Sequence, residues 1–492
     1  MTTKLSLANL PAIGARARVP TYARADLSPG IVHFGVGNFH RAHMAVYLDE
    51  LFEAGRDRDF AIVGAGVLPS DHALRDKLAG QDFLSTVVEQ SAEVSAARVT
   101  GAMVGYETPG DVAAIVARLA DPATRIVSTT ITEGGYFIDP ATGRFDPTHP
   151  DIVHDAAHPD APRTVFGLIL AGLRARRAAG LAPFTVMCCD NIPHNGKVTL
   201  STLTGLATLS DPAFADWVAT EVACPNAMVD RITPATGKRE IDLTAELFGI
   251  DDAWPVFCED FRQWVVEDRF PLGRPAFETV GVQFVDDVSP FELMKIRILN
   301  GGHAAIAYPA ALMDIHFVHE AMEHPLVAGF LAKLEREEIV PTVPPVPDTD
   351  LSDYLGLIER RFANPKIGDT IRRLCLDGSN RQPKFILPTI ADRLAAGAPL
   401  KGLPMVSALW CRYCAGTTDS GAVTAPNDPA WDRLQAAALA ARDDPAAFLA
   451  MRDIFGAVAD APAFRDRFAA TLAALWRDGT AETLRRYLDG SF

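Results

Sequence analysis

The chain is 492 residues long, 48% hydrophobic and 22% charged, with a formal net charge of −16. One hydrophobic core rarely organises that much chain, so two large domains are expected, and the apolar content excludes global disorder. The acidic balance works against nucleic-acid phosphates and anionic membrane surfaces, both of which need clustered Lys and Arg.

From the N-terminus, residues 1–20 (MTTKLSLANLPAIGARARVP) scatter polar groups through every apolar run and do not read as a secretory signal. Ile31–Gly35 (IVHFG) has a strand pattern that stops at glycine, and a helical pattern follows from Ala42 to Ala54. Phe60–Val67 repeats the strand pattern, and Arg125–Thr130 gives another that runs into the turn Glu133-Gly134-Gly135. Arg163–Leu181 has helical periodicity and feeds the strand-like Pro183–Cys189. Strands separated by helices of this length imply crossover connections and a largely parallel sheet, which the patterns near Met228–Ile232 and Val280–Val285 are expected to extend.

After Ser289-Pro290, Ala, Leu, Arg and Glu dominate at helical spacing. Val340–Asp350 is a Pro-rich connector, and Pro429 to Phe492 reads as surface helices. The fold class expected is therefore α/β, with a sheet-bearing domain over residues 1–286 and a mostly helical one over 287–492. No stretch reaches the roughly 18 apolar residues that a membrane-spanning helix requires. Seven cysteines, an odd number in a long chain, suit reduced thiols better than a disulfide framework. Together these features place the chain in the cytoplasm.

Gly35-Val36-Gly37-Asn38-Phe39-His40 joins a strand to a helix, the setting of a dinucleotide turn. There one glycine permits the tight turn, the next lets amides approach a pyrophosphate, and the helix N-terminus adds partial positive charge. His40 stands where the usual fingerprint has its third glycine, and a bare G-x-G also describes a purely structural turn. The acidic residue expected after the second strand for the ribose hydroxyls is displaced to Asp71, the basis for preferring NAD over NADP.

Phe291–Ala304 (FELMKIRILNGGHA) is the other segment of interest. On an ideal helix, at about 100° per residue, Glu292, His303 and Asn300 lie at about 60°, 80° and 140° from Lys295, within one broad arc. The bland account is a surface ion pair between Lys295 and Glu292 with a packed histidine. The chemical account is alcohol oxidation: a lysine with a lowered pKa takes the hydroxyl proton, and neutral amides hold the developing alkoxide.

Other patterns are better read as packing. Cys411-Arg412-Tyr413-Cys414 lacks the second ligand pair of a zinc site. His316, His319, Glu320, Glu323 and His324 lack the H-E-x-x-H spacing and read as a solvated helix face. Cys188-Cys189 ends a strand and reads as apolar filling.

Eight motifs in order resemble the polyol-specific long-chain dehydrogenases over nearly the whole chain. They are IVHFGVGNFHRAHMAVY at 31–47, TITEGGY at 130–136, CCDNIPHNG at 188–196, NAMVDRITP at 226–234, QWVVEDRF at 263–270, KIRILNGGH at 295–303, LCLDGSNRQPKF at 374–385 and CRYCAGTTDSG at 411–421. The resemblance implies an expanded Rossmann domain followed by a mostly helical domain, with the site in the cleft between them. It implies Lys295 as the catalytic base, Asn191 and Asn300 around the reacting oxygen, His303 on a substrate hydroxyl, and Glu292 in proton exchange with water. Asp230 and Arg373 would contact the polyol or the nicotinamide ribose. Gly35, Gly37, Asn38, Phe39 and Arg41 would form the cofactor turn, with Asp71 and Glu133 also on the cofactor side; His40 is the family's normal residue there. No metal is implied, and a monomer or weak homo-oligomer is.

The activity expected is hydride transfer between NAD and a polyol, D-mannitol with D-fructose first, or a related pair such as D-arabinitol with D-xylulose. A sorbitol dehydrogenase or a hexuronate reductase acting on fructuronate or tagaturonate is the alternative, with Arg373 and Arg381 available for a carboxylate. A catalytically silent nucleotide-binding scaffold would require loss of the Lys, Asn and His residues, all of which are present.

Overall fold

The computed structural model describes residues 2–139 and 142–492. It divides into two compact units, Met1–Ser289 and Pro290–Phe492.

The first unit is built on a five-stranded, wholly parallel sheet: β1 (Pro29–Phe34), β2 (Ala61–Ala65), β3 (Met103–Tyr106), β4 (Ile126–Thr129) and β5 (Thr185–Cys188). Their spatial order is β5-β4-β1-β2-β3, so the winding direction reverses between β1 and β4. A parallel sheet must be covered on both faces, and strand periodicity does the sorting. Ile31, Ile126 and Met187 face one core with Met44, Leu48 and Leu51 of the helix Met44–Glu53. Val32, Val127 and Val186 face the other, packed by Leu119, Phe166, Ile169 and Leu203 from three further helices.

Two three-stranded sheets and two two-stranded ones, Thr3–Lys4 with Ile250–Asp251 and Ile138–Asp139 with Arg144–Phe145, accompany the main sheet among the described residues. Ala227–Asp230 runs antiparallel to Gln263–Glu267, which lies parallel to Gln283–Val285. The strands foreseen near 228–232 and 280–285 therefore do not extend the main sheet; Gln263–Glu267 lies between them and makes a sheet of its own. Val256–Glu259 pairs with Ser85–Gln90, which pairs in turn with Ser95–Thr100.

The second unit is helical. Every residue of the helix Leu403–Cys414 is buried, as expected of a helix at the centre of a bundle rather than on its surface. The last long helix, Pro462–Asp489, interrupted at Gly479, buries Phe464, Phe468, Leu472 and Leu475. That corrects the reading of Pro429–Phe492 as surface helices. Its Ala-rich composition hides an apolar stripe that is core. All seven cysteines are buried and free, Cys411 and Cys414 among them. Among the described residues no helix is long and apolar enough to cross a membrane.

Candidate active site

In a doubly wound sheet, ligands lie beyond the carboxyl ends of the strands where the winding reverses. Here that point is the gap between β1 and β4. Gly35, immediately after β1, has φ +87°, and a Cβ on it would sit 2.1 Å from the Thr130 carbonyl oxygen that follows β4. Only glycine satisfies both constraints. At Gly37 a Cβ would meet nothing nearer than 3.6 Å, which leaves the helix start at Asn38 open to a close-lying anion. This geometry suits a dinucleotide.

The side chains of the turn brace it. Asn38 donates to the Pro234 carbonyl and Thr236 Oγ1, both at 2.9 Å, and accepts from Arg41. Arg41 is fully buried, with Nη1 on the Trp254 carbonyl at 2.5 Å, and Phe39 stacks on His43. Asp71 has a local duty as well, since its Oδ2 accepts from the amides of Val67 and Leu68 at the start of the helix Pro69–Ala79. Glu133 is exposed in the turn after β4.

A cluster of histidines underlies this turn. His33 and His40 stack at 3.5 Å, and His33 reaches Ser128 Oγ and Thr130 Oγ1. Burial drives both imidazoles far down, His33 to about 3, and does the same to His43, also to about 3. None carries charge near neutrality.

Asn191 is exposed just beyond β5, and Asp230 is buried at the end of its strand. Asn195 fixes the segment between them. Its amide donates to the carbonyls of Asp190 and Ala227, and its oxygen accepts from the Ala227 amide. His194 has φ +52°, a left-handed conformation unusual for a side-chain-bearing residue.

In the second unit, Glu292 ends up on the helix Ser289–Met294 and Lys295 opens a π-helical segment, Lys295–Asn300, before the helix Gly301–Leu312. Lys295 and Glu292 are each only 7% exposed, so they are not a surface ion pair. The π segment also overturns the ideal-helix angles, because its wider turn rotates Asn300 and His303 relative to Lys295. π-bulges are rare and collect at functional sites. Asn300 Oδ1 and His303 Nε2 are buried without a hydrogen-bond partner, and His303 stacks on Phe362 at 4.1 Å. Desolvation, then the guanidiniums of Arg373, Arg381 and Arg361, push the His303 pKa well below the imidazole range. A neutral ring can exchange hydrogen bonds with a hydroxyl. Arg373 is about half exposed and forks onto Asp369.

Sequence reasoning missed Glu335, which is fully buried with neither carboxyl oxygen hydrogen-bonded, beneath Gly302. Burial and Glu359 raise its pKa well above the carboxylate range. It also missed Asp190, whose only signal was its place beside Asn191. Among the described residues no group of three or more His, Cys, Asp or Glu is arranged to hold a metal ion.

Residues 29–279 match the mannitol dehydrogenase Rossmann domain, and residues 287–476 match the mannitol dehydrogenase C-terminal domain. A mannitol 2-dehydrogenase of Cereibacter sphaeroides is 61% identical over 470 residues, covering 95% of this chain and 98% of the relative. One from Aspergillus clavatus is 44% identical, with 99% of each chain covered. Among solved structures, the Pseudomonas fluorescens mannitol 2-dehydrogenase ternary complex with NAD and D-mannitol superposes with a TM-score of 0.88 at 42% identity, covering 99% of this chain and all of the other. A substrate-free D-sorbitol dehydrogenase gives 0.90 at 33% identity, covering 98% of this chain and all of the other. The chain thus belongs to the mannitol dehydrogenase family.

Proposed function

We propose that this protein interconverts D-mannitol and D-fructose with NAD, without a metal, using Lys295 as general base. As a member of its family it is an NAD-dependent polyol dehydrogenase. The observation that carries the finer reading is the burial of Lys295 at the first position of a π-helical turn, with Glu292 buried in the preceding turn. A buried amine is more easily kept neutral than one in water.

When bound, NAD supplies the hydride acceptor for oxidation and its reduced form the donor for reduction. The chain's own residues do the rest. In oxidation, Lys295 Nζ takes the proton from the C2 hydroxyl, and the amides of Asn191 and Asn300 donate to the oxygen as charge develops on it. Glu292 passes the proton from the lysine to water. Neutral His303 holds a neighbouring hydroxyl, while Asp230 and Arg373 grip the remaining ones. On the cofactor side, the turn at Gly35, Gly37, Asn38, Phe39 and Arg41 receives the pyrophosphate, with Asp71 on the ribose and Glu133 beside the loop. The buried thiols suit a reducing cytoplasm.

Lys295→Ala is expected to lower kcat at neutral pH by about 10²- to 10⁴-fold, while the parent enzyme keeps full rate in chelator. Full activity of the alanine variant, or loss of activity on chelation, would overturn the mechanism. The three guanidiniums around His303 favour a second reading, a hexuronate reductase whose substrate carboxylate they would meet. Assays of mannitol, arabinitol, sorbitol and fructuronate with NAD(H) and NADP(H) decide between the two.

A further inference from the structure

Thr132 has φ +63° and ψ 166°, a backbone region essentially reserved for glycine. It sits beyond β4, one residue before Glu133. Such strain persists only where the surroundings over-determine it, and here the Thr132 carbonyl accepts from the Gly135 amide at 3.1 Å while its amide side is held by one carboxylate. Asp190 Oδ1 accepts from the Thr132 amide at 2.9 Å, while Oδ2 accepts from the Ile131 amide at 2.9 Å and from the Tyr136 hydroxyl at 2.6 Å. Tyr136 is held in turn by Thr129 Oγ1 and Cys188 Sγ, each at 2.8 Å. From its main chain, Asp190 offers its carbonyl to Asn195 Nδ2 at 3.1 Å and to the Ile192 amide at 2.9 Å, so the backbone on both sides of Asn191 is tied.

We infer that Asp190 is a positioning residue. It holds the strained loop at Thr132, on the cofactor side of the switch point, in fixed register with Asn191, on the substrate side. The second half of this statement rests on the role proposed for Asn191. The chemistry is specific to a carboxylate. All three groups facing its two oxygens are donors, so an amide of the same shape must turn its own N–H₂ onto a donor and release one of them. Thr132 is the group that gains by release, since it leaves an unfavourable conformation.

The test is a double-substitution cycle on the full-length protein, read by NADH fluorescence titration, fructose reduction and thermal melting. Asp190→Asn is expected to weaken NADH binding about tenfold and to lower kcat/KM for fructose about 100-fold. In the Thr132→Gly background the same change is expected to cost less than about threefold on each, because glycine takes this conformation without a clamp. Equal cost in both backgrounds overturns the inference. So does an Asp190→Asn variant that melts at a lower temperature but binds and turns over like the parent, or one that fails to fold with or without Thr132→Gly. Asn191→Ala, measured alongside, separates the two proposals. If it retains full turnover, the role of Asn191 fails, and the clamp is judged on NADH affinity alone.

Discussion

The two units solve the same problem differently. Each must aim polar groups from a rigid element whose regular geometry would point them elsewhere. The sheet unit does it with positive-φ backbone at residues ill suited to it, among them Thr132 and His194 in the loops that follow β4 and β5. In the helical unit the left-handed non-glycine residues are Asp314, Asp348 and Asp377, which tolerate that conformation. Its departures lie instead inside helices, as π segments at Lys295–Asn300, Glu335–Ile339 and Gln382–Ile386. A strand can turn sharply only where it ends, whereas a helix can absorb an extra residue and continue. Buried ionisable groups do not divide along this line: imidazoles pushed down by burial lie in both units, His33, His40 and His43 in the first and His303 in the second, and so do carboxyls pushed up by burial, Asp49 and Glu335.

The sharpest test of this contrast is to remove the inserted residue. Deleting Ile296 should convert the first π segment to an ordinary helix and rotate Lys295 by about 100° relative to Asn300. Turnover should fall by at least about 10³-fold, with circular dichroism unchanged. If activity survives, the π turn has no bearing on the site.

The next test is acid. His33, His40 and His43 have folded pKa values below the unfolded one, so the unfolded state binds more protons and stability falls as pH drops below about 6.5. Each histidine adds about 1.4 kcal/mol per pH unit to that slope. His40, stacked on His33 with neither ring nitrogen hydrogen-bonded, is the one to replace. His40→Phe should flatten the urea-denaturation slope between pH 6 and 4.5 by about that amount. An unchanged slope would show that His40 is already protonated in the folded protein.

The smallest expected effect has the opposite sign. Glu335 has a raised folded pKa, so its contribution is complete below the unfolded carboxyl value and is lost as pH rises. Glu335→Gln mimics the neutral acid. It should stabilise the protein at pH 8 by at least about 1.4 kcal/mol, the worth of a tenfold change in proton affinity, and leave it unaltered at pH 4. Equal gains at both values would mean that the carboxyl is neutral throughout or that glutamine simply packs better.

Much of this organisation is legible in the residues. β1, β2, β4 and β5 announce themselves as short apolar runs, two of them stopping at glycine, and the turn after β1 needs Gly35 for a reason the carbonyl of Thr130 makes concrete. Pairing partners are less visible. Ser85–Gln90 and Ser95–Thr100 are too polar to stand out, and nothing in Ala227–Asp230 says that its neighbour will be Gln263–Glu267. A π segment leaves no mark on a pattern read at 3.6 residues per turn, so Lys295, Asn300 and His303 could be nominated from sequence but their mutual angles could not. Asp190 and Glu335 escaped because their significance lies in what surrounds them.

Asp71 carries a consequence for anyone wishing to change the cofactor. On the role proposed for it, this carboxylate would face the ribose, and the general route to NADP acceptance removes such an acid to admit a phosphate. Here the same carboxylate holds two amides at the mouth of the helix Pro69–Ala79 through a single oxygen. Its removal costs about 1 kcal/mol of helix capping besides. Serine or asparagine, which still cap, are better first replacements than alanine, and a switch of preference will come more readily by adding a cation nearby than by subtracting this acid.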